Sequence, residues 1–398
     1  MDILFITNSC SSSKYKEISN KRTRAIIDPQ QKYFRLLVEG LASIEGISVR
    51  VLPVLPLSAS SYKQRIFRHE EEIENGVHYE YMGFYNGKLL RYITIFLNTI
   101  IYVFKWYRSL SNKKNAFLIT DPLMMMSAVP ARCVCKILGI TTCALITDLP
   151  ILVSYMKQDK KGVRRVIGDI YNILAHRDIS KYDKYITLTE SINSMINKSN
   201  KPYTIIEGVA DVTDTSICES YSNIVLYAGG IYEMYGVKNL VSAFHMLEQK
   251  DVELHLYGSG TFVDEIMALQ AIDPRVQYKG CLSPEEIVEK EKKALLLVNP
   301  RPCNEEFSKY SFPSKTMEYM LSGTPVVSTK LPGIPEEYFD YIFTFDDDSE
   351  QAIYSKLTEI IALDRRQLRS KGKEAHDFVI GNKNNLIMAR KVIELLNK

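Results

Sequence analysis

The chain contains 398 residues, more than one hydrophobic core usually holds, because cores stop growing near about 250 to 300 residues. We therefore expect two domains. Hydrophobic residues make up 46% and charged residues 24% of the chain, which excludes a disordered chain, a collagen-like repeat and a coiled coil. The 50 Lys and Arg against 47 Asp and Glu give a formal charge of +3, too balanced to indicate a nucleic acid partner.

The cysteines and the apolar segments predict a cytoplasmic protein. Seven cysteines are scattered with no CxxC pair, which favours reduced thiols over a zinc site or a redox centre. Residues 1–7 form a short apolar strand without the basic region of a signal peptide. Residues 89–107 are the best membrane candidate, but Arg91, Asn98 and Lys105 interrupt them, so we predict a helix that does not span a membrane.

Short β-branched runs alternate with longer helical patterns through the first half, which is typical of a doubly wound α/β sheet. Strands are predicted at residues 3–7, 49–53, 78–82, 117–120, 142–147 and 185–189. Helices are predicted at residues 30–45, 89–110, 123–138, 162–176 and 191–198. Residues 8–28, rich in Ser and Lys, are predicted to form an unusually long loop after the first strand.

A polar stretch at residues 211–223 interrupts this alternation, which then restarts as if a second domain began. Strands are predicted at residues 224–228, 253–257, 276–278, 295–299 and 325–328. Helices are predicted at residues 238–248, 262–269, 284–293 and 314–322, with two or three more in the tail, the last at 385–396. We therefore predict two Rossmann-like domains, at residues 1–210 and 211–380, facing a central cleft. A C-terminal helix within residues 381–398 is predicted to pack back on the first domain.

Two glycine turns follow neighbouring strands of the second domain and point to the same edge of its sheet. Gly229 and Gly230 follow the first strand, and Gly258 follows the second. Such turns let the backbone approach a ligand, and the next helix N-terminus offers free amides to a phosphate. Lys238 would add a positive charge. The structural alternatives are an ordinary tight turn and a solvated lysine.

A third segment follows the strand at residues 295–299, where a polar loop enters a helix near Ser314. Ser314 and Lys315 would lie where amides, a hydroxyl and an ammonium group can meet a diphosphate. Glu318 lies one turn further along the same helix face. There, a carboxylate can accept both hydroxyl hydrogens of a ribose. An exposed helical residue without a ligand is the structural alternative.

Together these segments resemble family 4 of the retaining glycosyltransferases, also called glycosyltransferase group 1, with the GT-B fold. The similarity runs from residue 2 to about residue 398. It is strongest in four segments: Gly229-Gly230, Leu256-Tyr-Gly-Ser-Gly, Tyr278-Lys-Gly-Cys-Leu-Ser and Glu318-Tyr-Met-Leu-Ser-Gly-Thr-Pro-Val-Val. The resemblance implies that the second domain binds a nucleoside diphosphate sugar and needs no other cofactor. The residues it assigns to donor binding are Gly229, Gly230, Gly258, Tyr310, Ser314 and Glu318.

The sequence departs from the family pattern near the sugar end of this site. The family carries Glu-x7-Glu, and Tyr310 stands where the first Glu is expected. The Tyr310 hydroxyl, Glu305 and Glu306 are the open alternatives for its replacement. The family's usual Arg shortly after the Gly-Gly turn is also missing, which leaves Lys238 and Lys315 as the expected partners of the leaving diphosphate.

The first domain is expected to present the acceptor. Asp148 ends a predicted strand and would orient an acceptor hydroxyl, although a turn residue before Pro150 is an equal alternative. Asp121, at a similar strand end, is a weaker candidate. The acidic cluster at residues 346–348 is predicted to cap a helix instead of holding a metal ion, and no metal is expected.

The resemblance implies a retaining transferase that moves a hexose-type sugar to a hydroxyl of a saccharide or lipid-linked acceptor. Bacterial capsule, exopolysaccharide or lipopolysaccharide assembly is the implied pathway. A basic, aromatic-edged face would suit peripheral contact with the anionic inner leaflet of the plasma membrane, with a core helix and solvated lysines as the alternative. This face comprises the helix at 89–107 with Arg91, Lys105, Arg108, Lys113 and Lys114, and Lys157, Lys160, Lys161, Arg164 and Arg165.

Two other functions stay open at this point. A nucleotide-sugar 2-epimerase shares the fold but needs an acid and base pair that the sequence does not reveal. A non-catalytic nucleotide-sugar-binding protein would fit the loss of the first Glu at Tyr310. Donor turnover separates an enzyme from a binding protein, and free epimerised nucleotide sugar separates the epimerase from the transferase.

Overall fold

A computed structural model describes residues 1–21, 29–55, 57, 62, 64–87, 89–149, 163–218, 222–303 and 306–398. These residues form two compact units. One consists of Met1–Val209 with Asn385–Lys398, and the other of Ala210–Asn384. The predicted lysines at residues 157, 160 and 161 lie outside the described residues, as do the side chains of Arg164 and Arg165.

The first unit is built on a sheet of eight strands in the order β10-β9-β8-β7-β1-β2-β5-β4, where only β4 runs antiparallel to its neighbour. Its strands, with the separate pair β3 and β6, are β1 (Asp2–Ile6), β2 (Ser48–Val51), β3 (Ile66–Phe67), β4 (Glu70–Glu74), β5 (Val77–Tyr81), β6 (Phe84–Tyr85), β7 (Ala116–Thr120), β8 (Thr141–Ile146), β9 (Lys184–Thr187) and β10 (Tyr203–Ile205). The helices between them are α1 (Ser12–Lys21), α2 (Pro29–Ala42), α3 (Leu90–Ser109), α4 (Met125–Ile137), α5 (Val163–Ile179) and α6 (Glu190–Ile196).

The second unit has a fully parallel sheet of six strands in the order β13-β12-β11-β14-β15-β16. Its strands are β11 (Ile224–Ala228), β12 (Glu253–Tyr257), β13 (Val276–Tyr278), β14 (Leu296–Asn299), β15 (Val326–Thr329) and β16 (Phe343–Phe345). The helices are α7 (Val237–His245), α8 (Val263–Gln270), α9 (Pro284–Glu291), α10 (Ser314–Leu321), α11 (Glu350–Ile361) and α12 (Arg365–Lys383), and α13 (Asn385–Asn397) follows. Numbered within the unit, the order is 3-2-1-4-5-6, the Rossmann order, whose direction reverses between β11 and β14.

Both faces of this second sheet are buried, as the continuous apolar strand sequences predict. Successive residues of β11 point to opposite faces. Val225 and Tyr227 join one hydrophobic cluster, and Leu226 and Ala228 join another. Helices α7 and α11 pack together in the first cluster, and α10 and α12 contact each other in the second. The strand ends at the carboxyl edge of the sheet are thereby held rigidly, which positions the loops that follow them.

The last helix belongs to the first unit, where α13 packs against α2. Gly40 allows this approach, since a Cβ atom there would lie 2.2 Å from the Asn385 carbonyl oxygen. At the other end of α13, the buried Lys184 ammonium donates hydrogen bonds to the Leu395 and Leu396 carbonyls, at 3.0 and 2.8 Å. Lys184 therefore satisfies carbonyl groups that a helix C-terminus leaves without helical partners.

Several regions differ from the sequence prediction, among them α1, β4 and the short strands β3, β6 and β10, which were not predicted. Residues 8–28 were expected to be a loop, but their described part contains α1, whose polar sequence carries only one buried apolar residue, Ile18. Strand β4 was not predicted because its sequence, EEEIE, lacks apolar alternation. It forms by antiparallel pairing with β5. Among the described residues, no helix has both the length and the apolar character needed to cross a membrane, in agreement with the prediction for residues 89–107.

Candidate functional site

The two predicted glycine turns meet at the carboxyl edge of the second sheet. The Gly229 amide donates to the Tyr257 carbonyl and the Ile231 amide to the Ser259 carbonyl, both at 2.9 Å. Gly258 has a φ of +134°, and a Cβ atom there would lie 1.8 Å from the Gly229 carbonyl oxygen. Only glycine fits so close a backbone approach. The turns after β11 and β12 thus form one rigid, side-chain-poor surface beside the point where the sheet order reverses.

The end of β11 is held by Tyr319, a residue that the sequence analysis did not select. Its hydroxyl accepts a hydrogen bond from the Ala228 amide at 2.8 Å and donates one to the Ala228 carbonyl at 3.0 Å. Burial raises the pKa of the Tyr319 phenol well above its ordinary value, so it stays a neutral donor and acceptor. Tyr319 follows Glu318 directly in α10. Glu318, the residue predicted to bind a ribose, is therefore connected to the turn after β11 through its neighbour.

Helix α10 brings three predicted residues to this edge of the sheet. Ser314 is its exposed first residue. The Lys315 ammonium lies 2.8 Å from Glu318 Oε1 and 3.6 Å from Oε1 of the fully buried Glu291. Lys315 and Glu318 each keep about a third of their side-chain surface exposed, at 37% and 35%. They therefore remain accessible to a ligand.

The charge state of Lys315 follows from these neighbours. Burial alone would lower the pKa of its ammonium group, but the Glu318 and Glu291 carboxylates outweigh burial and raise that pKa above its ordinary value. Lys315 is therefore protonated at neutral pH. The ammonium also orients Glu318 through a charge-assisted hydrogen bond.

A second residue that the sequence analysis passed over is Arg301, two positions after β14. Its guanidinium carbon lies 4.8 Å from the ring centroid of Tyr235, which follows the Gly229 and Gly230 turn. Burial lowers the pKa of Arg301, yet a guanidinium stays charged at neutral pH. The signal available in the sequence was an arginine placed directly behind a strand at the switch point, in Asn299-Pro-Arg.

The other residues predicted to bind the sugar donor are Lys238 and Tyr310, which lie on short helices after β11 and β14. Lys238, the second residue of α7, is half exposed and forms an ion pair with Glu233 at 2.9 Å. Tyr310 ends a short 3-10 helix, Glu306–Tyr310, and the Lys309 ammonium lies 5.2 Å from its ring centroid. Of the two alternatives to Tyr310, Glu305 lies outside the described residues, as does the side chain of Glu306.

In the first unit, the two candidate aspartates lie at the ends of neighbouring strands. The Asp148 carboxylate, after β8, accepts a hydrogen bond from the Gln30 amide group, which also donates to Thr147 Oγ1 at 3.0 Å. Asp121, after β7, is buried and accepts from the Leu123 amide at 2.8 Å. That bond makes Asp121 a turn residue, while Asp148 is half-buried.

The acidic cluster at residues 346–348 stabilises a turn before α11. Asp347 Oδ1 accepts from the Ser349 amide at 2.8 Å, and hydrogen bonding with the side chain and the backbone of Ser349 lowers the pKa of Asp347. The Ser349 hydroxyl then accepts from the Ala352 amide at 3.2 Å, as an N-cap residue does.

Residues 222–362 match the model of the family Glycosyl transferases group 1. This part of the chain is therefore similar to the group 1 glycosyltransferases. No curated protein matches its sequence significantly. The family segment contains both glycine turns, Arg301 and the whole of α10.

Solved structures match over the whole chain and show that its fold is GT-B. Sucrose-phosphate synthase from Thermosynechococcus elongatus is 15% identical, with 100% of this chain and 98% of that chain covered and a TM-score of 0.66. Alr3699/HepE from Anabaena, in complex with UDP and glucose, is 12% identical, with both chains covered completely and a TM-score of 0.60. A trehalose-6-phosphate protein from E. coli bound with UDP-2-fluoro glucose is 7% identical, with 100% and 99% covered and a TM-score of 0.64.

The contact between the glycine turns predicts a large difference between two glycine substitutions in the same unit. Gly280 also has a positive φ, +77°, but a Cβ atom there meets nothing within 4 Å. Gly280→Ala should therefore cost only about 1 to 2 kcal/mol of backbone strain. Gly258→Ala must also push the Gly229 carbonyl away and should cost at least about 3 kcal/mol. Urea unfolding of both variants measures this difference, and equal stabilities would contradict the close approach.

Proposed function

We propose that this chain is a glycosyltransferase that transfers a hexose-type sugar, with retained anomeric configuration, from a nucleoside diphosphate sugar to a hydroxyl of a saccharide or lipid-linked acceptor. The observation that carries the proposal is the position of Glu318. Its partly exposed carboxylate lies on the helix that follows β14, beside the two glycine turns at the Rossmann switch point. Ligands of open parallel sheets bind at this point.

The donor would be held by backbone groups and a few charged side chains. Gly229, Gly230 and Gly258 leave room for the diphosphate to approach the backbone, and the Ser314 amide and hydroxyl face it from the start of α10. Glu318 accepts the two ribose hydroxyls. UDP or a UDP sugar is bound in two of the similar structures, which supports a nucleoside diphosphate as the ligand of this chain.

The chemistry requires stabilisation of a leaving group that becomes more negative as the bond to the anomeric carbon breaks. Lys315 suits this role because its pKa is raised and it stays charged. Lys238 would make a smaller contribution to stabilising the leaving group, since its side chain is half exposed and its ammonium group is paired with Glu233. Tyr310 would border the transferred sugar in place of the family's first glutamate. Asp148 in the first unit would orient the acceptor hydroxyl.

The acceptor class and the pathway remain part of the same proposal. A saccharide or lipid-linked acceptor in bacterial surface polysaccharide assembly fits a transferase that works on the cytoplasmic side of the membrane. The first unit offers a surface suited to such a substrate. Large apolar side chains with exposures between 37% and 70% lie along α3 and α5. They are Leu89, Leu90, Tyr92, Ile93, Phe96, Leu97, Ile101 and Phe104, with Val166, Ile170, Tyr171, Ile173 and Leu174.

The charges around this apolar face favour an anionic partner. Helix α3 contains no acidic residue, and Lys105, Arg108, Lys113 and Lys114 are exposed at its C-terminal end. Burial raises the pKa of Tyr171, and the charges of Asp121 and of the Tyr92 phenol on α3 add to the rise. A helix with an apolar face and basic flanks can lie in the lipid headgroup region without spanning the bilayer. We therefore assign this face to peripheral contact with an anionic membrane.

Glu318→Gln tests the donor site with little change in shape. The neutral amide cannot accept both ribose hydrogens, so affinity for the preferred diphosphate among UDP, GDP and ADP should fall about 10- to 100-fold. Glu359→Gln is the matched control, because Glu359 is an exposed glutamate of the same unit paired with Lys356. Isothermal titration calorimetry measures all three proteins. Unchanged affinity in Glu318→Gln would remove Glu318 from the site.

Co-sedimentation with lipid vesicles tests the membrane face. The native chain should bind vesicles of phosphatidylglycerol and phosphatidylcholine more tightly than vesicles of phosphatidylcholine alone, and added salt should weaken this binding. Leu97→Glu with Ile101→Glu places charges on the apolar face and should abolish binding. Ile272→Glu, at a 72% exposed position of the second unit, should bind like the native chain. Equal binding by all three proteins would refute the assignment.

A further inference from the structure

The hairpin of β4 and β5 carries different sets of side chains on its two faces. Because successive residues of a strand point to opposite faces, Glu70, Glu72 and Glu74 lie on the same face of β4. That face contacts α1: the Ser12 amide donates a hydrogen bond to Glu74 at 2.7 Å, and the Ser13 hydroxyl donates one to Glu72 at 3.1 Å. These contacts hold the start of α1 against the hairpin.

The opposite face brings two histidines and two glutamates together. Glu71 is paired across the hairpin with Glu80. The His69 Nε2 atom lies 2.9 Å from Glu80 Oε1 and 3.5 Å from Glu71 Oε1. His78 Nε2 lies 3.4 Å from the other Glu71 oxygen, Oε2. Sequence spacing does not reveal this cluster, because only the antiparallel pairing of β4 with β5 joins its members.

The distances within the cluster suit a zinc ion. One ligand atom from each of His69, Glu71 and Glu80 lies within 4.8 Å of the other two. Two ligand atoms of a tetrahedral zinc site are about 3.3 to 3.6 Å apart, since the bonds are about 2.0 to 2.2 Å long. The nitrogen–oxygen separations of 2.9 and 3.5 Å are close to this range. An imidazole with two carboxylates favours Zn²⁺ over Ca²⁺ and Mg²⁺, which take oxygen ligands.

The charges on this face also favour a bound cation. Glu71 and Glu80 lie directly opposite each other, and like charges at such cross-strand positions repel. Glu80 is buried, and a buried carboxylate is costly unless it is paired or binds a metal ion. A divalent cation between the two carboxylates would remove the repulsion.

A buried hydroxyl beside Glu80 indicates a further ligand at the cluster. Tyr102, on α3, is 5% exposed, and its hydroxyl has no well-formed hydrogen bond with the residues that the structure describes. Burial raises the pKa of this phenol, the Glu80 carboxylate adds to the rise, and Arg50 opposes it. The hydroxyl is therefore close to Glu80. Buried hydroxyls need a partner, and a water molecule bound to the metal as its fourth ligand would supply one.

Solvent can reach the cluster. The side chains of His69 and Glu71 are 53% and 50% exposed. His78 lines a surface cavity of about 440 Å³ together with Arg50 and Ile73. A metal ion therefore has an entry path, which a binding site requires.

We propose that His69, Glu71 and Glu80 bind a Zn²⁺ ion and that His78 orients Glu71 by contacting its second oxygen. Partners of this kind hold metal-binding carboxylates in place. The ion would join the two strands of the hairpin, whose other face holds α1, and would thereby stabilise the first unit. The inference does not depend on the proposed function, because donor binding is assigned to the second unit.

Zinc titration of the full chain tests the site. After removal of metal with a chelator, the chain should bind Zn²⁺ in isothermal titration calorimetry, and Zn²⁺ should raise its unfolding temperature. His69→Asn and Glu71→Gln should each lower zinc affinity at least about 10-fold. His245→Asn is the matched control, because His245 is paired with a single carboxylate, Asp273, in the second unit. Thermal unfolding in chelator confirms that each variant is folded.

Thiols are the competing zinc ligands, since Cys133 and Cys281 are exposed. All proteins in the titration therefore carry Cys133→Ser and Cys281→Ser. Co²⁺ in place of Zn²⁺ should give visible d–d bands without a thiolate charge-transfer band. Zinc affinity that is equal in the native background and in His69→Asn would overturn the inference, as would sulfur ligation in the cobalt spectrum or no zinc binding at all. The donor site is tested separately by nucleoside diphosphate binding, which none of these outcomes affects.

Discussion

The end of β11 is the fixed point of the second unit. Both backbone groups of its last residue, Ala228, form hydrogen bonds with the buried Tyr319 hydroxyl. The carbonyl oxygen of the next residue, Gly229, lies close against Gly258, which follows the neighbouring strand. Because three different elements meet at these two residues, the turns after β11 and β12 and the start of α10 cannot shift independently. A preorganised backbone of this kind binds a ligand without first having to become ordered.

This arrangement also sets the positions of the charged groups at the same edge of the sheet. Tyr319 and Glu318 are adjacent on α10, so the hydrogen bonds that hold β11 also set the position of the carboxylate beside it. Lys315 then occupies the space between Glu318 and the buried Glu291. Arg301 approaches from β14, on the other side of the switch point, and is held by Tyr235 and the Gly236 contact with Pro300. Two cationic side chains thus belong to the segments that follow β14, one directly behind the strand and one on α10.

The sequence predicts the regular parts of this fold well because buried parallel strands have a strong apolar pattern. Strands β11, β12 and β13 begin and end at the predicted residues. Strand β4 and helix α1 could not be predicted because their own sequences are polar, so contacts with the rest of the fold stabilise them. The role of Tyr319 could not be predicted from the sequence, since it depends on the Ala228 backbone that lies across the sheet from α10. Glu318 and the glycine turns are predicted as site residues from the sequence because their spacing carries the family resemblance.

Hydrogen–deuterium exchange of the full chain, with and without a saturating nucleoside diphosphate, tests the central claim that the switch point of the second sheet is the donor site. UDP, GDP and ADP are compared in parallel. The account predicts that the bound diphosphate slows exchange in peptides that cover residues 229–236, 258–260, 299–303 and 314–318. Binding accompanied by protection elsewhere, for example only at the strand ends of the first unit, would contradict it.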